Sequence, residues 1–244
     1  MIFDKCDWLV NPYNSINFNN LPHGIIINGP RGVGKKLLAK KISEKIISNF
    51  KESLNNDHQN LFDKNNHPDL YLLDKDKYLL KDIRRQKKDS KNWDEEKGFN
   101  DVVSFLTLTP SISKNKVVCM INADTMNNIA QNALLKSLEE PAPFSYIIMT
   151  TSRSKALNQT IYSRCQVINI PFLSSNKVND WLQDNGINDF SSIDFPSFAT
   201  PFSILDDILD FGMGGNELIS VFCIICNVLI SIGDMLPSRC SMSD

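Results

Sequence analysis

The sequence predicts an α/β protein: a parallel sheet flanked by helices, followed by a small helical region. Three observations carry this. Short apolar runs bounded by polar residues recur at Ile25–Ile27, Leu70–Leu73, Val117–Ile121, Tyr146–Met149 and Gln166–Ile170, and such runs fit strands buried on both faces. Between them apolar residues return at helical spacing, as in Leu38, Ile42, Ile46 and Phe50. The first run leads directly into a glycine-rich turn with a helix behind it.

In chain order, Met1–Leu21 reads as an irregular lead-in with one short helix. Ile25–Asn28 is the first strand, and a helix runs from Leu37 to Phe50. Lys51–His67 is polar, a loop or weak helix; His58 and His67 with Asp57, Asp63 and Asp69 match no metal-binding spacing. Leu70–Leu73 is the second strand. Lys75–Lys91 is rich in Lys and Arg, diluted by the adjoining Asp74 and by Asp76, Asp82 and Asp89. It reads as a solvated helix face, the alternative being a surface that touches DNA phosphates. Phe99–Leu108 is an amphipathic helix ended by Thr109-Pro110. After the strand Val117–Ile121, Ile129, Ala133, Leu134 and Leu138 mark a helix closed by Glu139-Glu140-Pro141. Tyr146–Met149 is the next strand. Thr150 and Thr151 at its end either sense phosphate or cap the turn. Arg153 to Tyr162 is polar and predicted helical. Gln166–Ile170 is the last strand, and Pro171 marks a boundary.

Beyond it, Ser174 is the expected N-cap of a helix carrying Val178, Trp181 and Leu182. Phe202–Phe211 and Glu217–Ile232 follow as further helices. Cys223 and Cys226 form a lone C-x-x-C within apolar surroundings, read as a buried thiol pair rather than a zinc or redox site. The apolar segment Leu218–Ile232 has 15 residues, short of the roughly 20 that a membrane span needs, so no membrane role is expected.

Composition narrows the function. The 244 residues carry 42% hydrophobic and 22% charged side chains, ordinary for one large or two smaller globular domains. A net charge of −2 argues against a surface devoted to nucleic acid and leaves local basic patches open. Six scattered cysteines and the lack of a secretory signal predict a reduced, cytoplasmic setting.

The glycine turn is Gly29-Pro30-Arg31-Gly32-Val33-Gly34-Lys35-Lys36. Gly29, Gly34 and Lys35 match the G-x-x-x-x-G-K pattern of a P-loop, with strand before and helix behind as required. Backbone N–H groups and the helix N-terminus cradle phosphate there, and the lysine reaches the outer phosphates. The next position supplies a hydroxyl to magnesium in working P-loops. Here it is Lys36, which has donors and no acceptor. Two readings stand: a degenerate phosphate site at Gly29, Gly32, Gly34, Lys35 and Lys36 that holds ATP or ADP, or a tight turn that binds neither.

Asn132–Pro141 (NALLKSLEEP), with Ser163-Arg164-Cys165 downstream, resembles the paired motifs of bacterial clamp-loader subunits. These belong to the AAA+ family within DNA polymerase III, and the resemblance is strongest to its delta-prime branch. It implies an AAA+ P-loop NTPase-like core over residues 1–171. A helical lid and the start of a C-terminal helical region would occupy 172–233, and a polar tail 234–244. The family's collar domain is expected to be absent or incomplete. No family-type zinc is expected, because no cysteine lies between Cys6 and Cys119.

Counting back from NALLK, the family's two catalytic acids fall on Asn122 and Ala123. Aspartate there organises magnesium and glutamate activates water; Asn122 and Ala123 do neither. Asp124 is acidic but lies past the strand end. With Lys36, these positions predict no hydrolysis at the chain's own site. Arg164 matches the arginine that the family projects into a neighbour's nucleotide site, a trans-acting finger. Cys165 is expected to pack. The resemblance thus implies a non-hydrolysing clamp-loader subunit. Its partners would be gamma/tau-like and delta-like subunits and, through the complex, the sliding clamp and primed DNA. The competing readings are an active gamma/tau-like P-loop ATPase and a free-standing nucleotide-binding module.

Overall fold

A computed structural model describes residues 3–49, 56–84, 101–188 and 190–210. The described strands are β1 (Gly24–Asn28), β2 (Leu70–Asp74), β3 (Lys116–Ile121), β4 (Ser145–Thr151) and β5 (Cys165–Asn169). They form one parallel sheet in the order β2-β3-β4-β1-β5. The helices are α1 (Asp7–Asn14), α2 (Lys35–Ile47), α3 (Asn56–Asp63), α4 (Leu80–Ile83), α5 (Val102–Thr107), α6 (Asn128–Glu139), α7 (Gln159–Tyr162), α8 (Ser175–Asp184) and α9 (Pro201–Asp210). The predicted α/β class, a parallel sheet flanked by helices, is the one observed.

The residues fall into two compact units. One comprises Ile16–Asn28 and Ala39–Asn169; the other holds the described parts of Met1–Ser15, Gly29–Leu38 and Ile170–Asp244. The glycine loop therefore clusters with the N-terminal helix and the helices after β5.

In the sheet unit, parallel register lines up one residue per strand. Leu73, Met120, Met149 and Ile26 form one row across β2, β3, β4 and β1. Tyr71, Val118, Ile147, Gly24 and Cys165 form the row beside it. Strand side chains alternate between faces, so both rows point the same way. They pack with Ile83, Val102, Phe105, Leu106, Ala130, Leu134, Leu138 and Ile161 from α4 to α7. The alternate residues Ile25, Ile27, Val117, Cys119, Ile121 and Ile148 are buried too, as strands covered on both faces require.

Gly24 is a spacing residue in this layer. A Cβ there would stand 2.5 Å from Cys165 Sγ and 2.9 Å from Leu138 Cδ2. Burial pushes the Cys165 thiol up to about 12, which fits its expected packing role. Asp69 fastens the approach to β3: its carboxylate accepts from the backbone N–H groups of Ser111, Ile112 and Ser113 at 2.5, 3.0 and 2.7 Å. Lys116 is wholly buried at the start of β3. Its Nζ donates to Phe105 O at 2.8 Å and lies 5.5 Å from the Phe105 ring centre. Burial lowers its ammonium to about 8.

Several elements differ from the sequence reading. Ile129 is 62% exposed, and the buried stripe of α6 is Ala130, Leu134 and Leu138. That spacing of four follows one face of a 3.6-residue helix, and Ile129 falls off it. Between Arg153 and Tyr162 only Gln159–Tyr162 is helical. Ser174 sits at the cap of α8, but its side chain makes no cap bond. The basic stretch is not simply a solvated face. Tyr78 and Ile83 are fully buried in it, and Asp82 is nearly so, taking Lys75 Nζ at 2.6 Å and Leu79 N at 2.8 Å. Positions 85–91 of that stretch, and the predicted helix Glu217–Ile232 with Cys223 and Cys226, lie outside the described residues. No described helix is long and apolar enough to cross a membrane.

In the second unit the core is aromatic. The Trp8 and Trp181 rings meet edge-on at 6.0 Å, and Trp181 lies 5.4 Å from Phe202. Leu9, Val178, Leu182, Ile204 and Leu205 are buried there as well.

Two outcomes follow from this packing. Gly24→Ala is expected to lower the unfolding free energy by about 1–3 kcal/mol, the usual cost of overpacking, read by urea denaturation; an unchanged midpoint would contradict the spacing role. Lys116 sheds its proton above pH 8 in the native state, whereas the unfolded chain keeps it to about pH 10.5. The unfolded state therefore binds more protons between those limits, and Lys116 adds stability as pH rises, by at most about 1.4 kcal/mol per pH unit. Below pH 8 it contributes no slope. Between the wild type and Lys116→Met, the difference in unfolding free energy should stay constant from pH 7 to 8 and shift in favour of the wild type from pH 8 to 9.

Candidate functional site

The glycine loop is over-determined by its hydrogen bonds. Lys35 is buried at the start of α2, and its Nζ donates to Gly29 O at 2.8 Å and Pro30 O at 2.5 Å. Arg31 O accepts from Thr200 Oγ1 at 2.7 Å, Gly32 O from Phe202 N at 3.0 Å, and Val33 O from Trp8 Nε1 at 3.0 Å. Gly34 O accepts from Leu38 N within α2. Each carbonyl from Gly29 to Gly34 is thus held from outside the turn or by the helix behind it.

Gly32 and Gly34 adopt φ of +66° and +92°, the region that side chains with Cβ avoid. Space forbids a side chain as well. A Cβ on Gly34 would lie 2.7 Å from the Phe202 ring and 2.9 Å from Leu9, and one on Gly32 would meet Thr200 and Ser203. The five loop residues picked out in the sequence therefore stand together. Trp8, Thr200 and Phe202 escaped the sequence reading. They are remote in the chain, and no motif marks a residue whose task is to bind a loop carbonyl. Lys36 is half-buried beside Lys35 and offers no acceptor to a cation. Among the described residues no cluster of His, Cys, Asp or Glu forms a metal site.

The other candidate positions belong to the sheet unit. Asn122 follows β3 in a left-handed conformation, φ 56°, which asparagine tolerates better than most residues. Its N–H donates to Thr150 Oγ1 at 3.0 Å. Ala123 is fully buried within the hydrophobic cluster. Asp124 is also buried. Its Oδ2 accepts from Arg153 Nε at 3.0 Å, and Arg153 Nη2 donates to Asp124 O at 2.5 Å. Thr151 Oγ1 donates to Asn28 Oδ1 at 3.2 Å, and Asn28 Nδ2 to Asn169 Oδ1 at 3.0 Å. The Tyr78 hydroxyl lies 2.7 Å from Leu73 O and 2.6 Å from Ile121 O, tying the ends of β2 and β3. Asp124 Oδ1 is buried without a hydrogen-bond partner, whereas Thr150 and Thr151 tie strand ends together.

Arg164 lies between α7 and β5 with its side chain 35% exposed. Its Nη1 donates to Thr160 O at 2.9 Å and reaches Ser163 Oγ at 3.3 Å. Its Nη2 stands 2.8 Å from Glu139 Oε1, at the end of α6. The two sequence motifs, NALLKSLEEP and Ser-Arg-Cys, therefore touch through this ion pair.

The family model for "DNA polymerase III, delta subunit" matches residues 10–174. A DNA polymerase III subunit delta' from Haemophilus influenzae is 30% identical over 164 residues, 66% of this chain and 46% of that protein. The subunit delta' of Bacillus subtilis is 27% identical over 181 residues, 72% of this chain and 50% of the other. A subunit gamma/tau from Mycoplasma genitalium is 32% identical over 174 residues, 70% of this chain and 27% of the other. Among solved structures, a DNA polymerase III gamma-subunit-related protein from Thermotoga maritima aligns with TM-score 0.46 at 16% identity, covering 93% of this chain and 71% of that one. The chain spans about half the length of the delta' relatives it matches. The match across the sheet, the glycine loop and both motifs places the chain in the DNA polymerase III delta-subunit family, with delta' subunits among its relatives.

Proposed function

We propose that the chain is a non-hydrolysing clamp-loader subunit that lends Arg164 to a neighbouring ATPase subunit. The observation that carries this is Ala123. It stands where the family's water-activating acid belongs, has no proton acceptor, and is sealed in the apolar core. Asn122 and Lys36 support the same reading, and Asp124 Oδ2 is paired with Arg153. Its partners would be gamma/tau-like and delta-like subunits, and the assembly would load the sliding clamp onto primed DNA. ATP or ADP at Gly29–Lys36 would serve assembly rather than turnover.

Arg164 suits the lending role on chemical grounds. Its guanidinium stays charged and offers a planar fork to phosphate oxygens. Fingers of this kind contribute about 10³–10⁵ in rate in related systems.

The isolated chain should show no ATP turnover. In the loader reconstituted with its partner subunits, primed DNA and clamp, Arg164→Ala should cut turnover at least about tenfold while gel filtration shows an intact assembly. Unchanged turnover would reduce the chain to a scaffold. Turnover by the isolated chain would favour the active gamma/tau-like reading. Restoring the acid should also fail: Ala123→Glu buries an unpaired carboxyl and should cost at least about 3 kcal/mol without creating ATPase activity. A stable, hydrolysing Ala123→Glu variant would refute the account of this position.

A further inference from the structure

We propose that Glu139 sheathes the Arg164 guanidinium in the free subunit, so that Arg164 engages a neighbour's phosphate only after leaving Glu139. This rests on the finger role given above.

Both terminal nitrogens of the Arg164 fork are engaged within its own subunit, through three of its five N–H donors. Nη1 serves Thr160 O and Ser163 Oγ, and Nη2 serves Glu139 Oε1. Phosphate is grasped through the same fork, bidentately. Thr160 and Ser163 are neutral acceptors from the turn that carries Arg164, and they orient it without altering its charge. Glu139 differs, because its carboxylate cancels the guanidinium charge and repels an approaching phosphate.

Glu139 is unfavourably placed for its helix, although Lys136 stands in the same last turn. Glu139 is the last residue of α6, and Glu140 follows as the C-cap. Acids are unfavourable at the negative end of a helix dipole. Arg164 is the cation that offsets the Glu139 charge. The pair is nevertheless easy to open. The side chains are 35% and 46% exposed, and ion pairs so exposed are weak and screened by salt. An opposing phosphate in a drier subunit interface outcompetes such a partner. Glu139 is thus a positioning residue: it holds the arginine outside the interface and hands it over on docking.

The test is ATP turnover by the reconstituted loader carrying Glu139→Gln or Glu139→Asp, each with and without Arg164→Ala. Glu139→Gln should raise kcat/KM for ATP by about two- to fivefold, the span of a weak exposed pair. The gain should shrink as salt rises, and Glu139→Asp should behave as wild type. In the Arg164→Ala background Glu139→Gln should change nothing. The sheath is overturned if Glu139→Gln leaves turnover unchanged or lowers it while Arg164→Ala remains damaging. It is equally overturned if the Glu139→Gln effect persists without Arg164. If Arg164→Ala is itself harmless, the finger role fails and the sheath falls with it.

Discussion

Burial of β1, β3 and β4 on both faces is the constraint that orders the sheet unit. A strand with two apolar faces needs cover on each side. Parallel strands also need a crossover segment between each pair, and helices supply it. The rows Leu73–Met120–Met149–Ile26 and Tyr71–Val118–Ile147–Gly24–Cys165 show how closely this is specified. A slip of one residue would exchange the two faces of a strand. It would also set a side chain where only Gly24 fits between Cys165 and Leu138. With the faces committed to packing, polar chemistry is left to the strand ends and the loops that follow them.

At those ends the side chains of this chain serve structure. Asn122 binds Thr150, Thr151 binds Asn28, Asn28 binds Asn169, and Arg153 clamps Asp124. Tyr78 closes β2 against β3. A working hydrolytic edge keeps acids free of internal partners so that they can serve magnesium and water. In the proposed reading Ala123 takes that place, and it is a core residue. The glycine loop tells a similar story within its own unit. Trp8, Thr200 and Phe202 bind three successive carbonyls, and Lys35 binds two more. A loop so held keeps its shape without a ligand contributing bonds.

Much of this was legible in the sequence, and the limits have physical causes. The five strands were visible because a doubly buried strand is a short, nearly pure apolar run. The glycine loop and the two motifs were visible because each is a run of residues at fixed local spacing. Ile129 misled because apolarity alone does not assign a helix face; Ala130 in the next position takes the core. Segment 153–158 misled because polar residues suit a turn as well as a solvated helix. Tyr78 and Asp82 were hidden in a basic stretch whose charge suggested solvent, although a tyrosine needs only a carbonyl partner to lie buried. The carbonyl ties of Trp8 and Thr200 were beyond reach, since they join residues far apart in sequence. The contact of Glu139 with Arg164 had a faint signal: two acids at the end of a predicted helix, where the dipole disfavours them.

In the proposed role, loss of hydrolysis and retention of a finger are separable because they ask opposite things of a side chain. An acid that activates water must be placed in a closed site and kept charged there, which costs desolvation. Once hydrolysis is not required, that cost falls away and a small apolar residue packs better, as Ala123 does. A finger acts in another subunit's site. Within its own fold it needs only exposure, a fixed root and a partner weak enough to leave. Arg164 has each of these: a half-exposed side chain, anchorage to Thr160 O at its own turn, and an ion pair open to solvent. The same packing that removes the acid therefore leaves the arginine untouched, and the chain can lose catalysis at its own loop while keeping the group its neighbour uses in the proposed role.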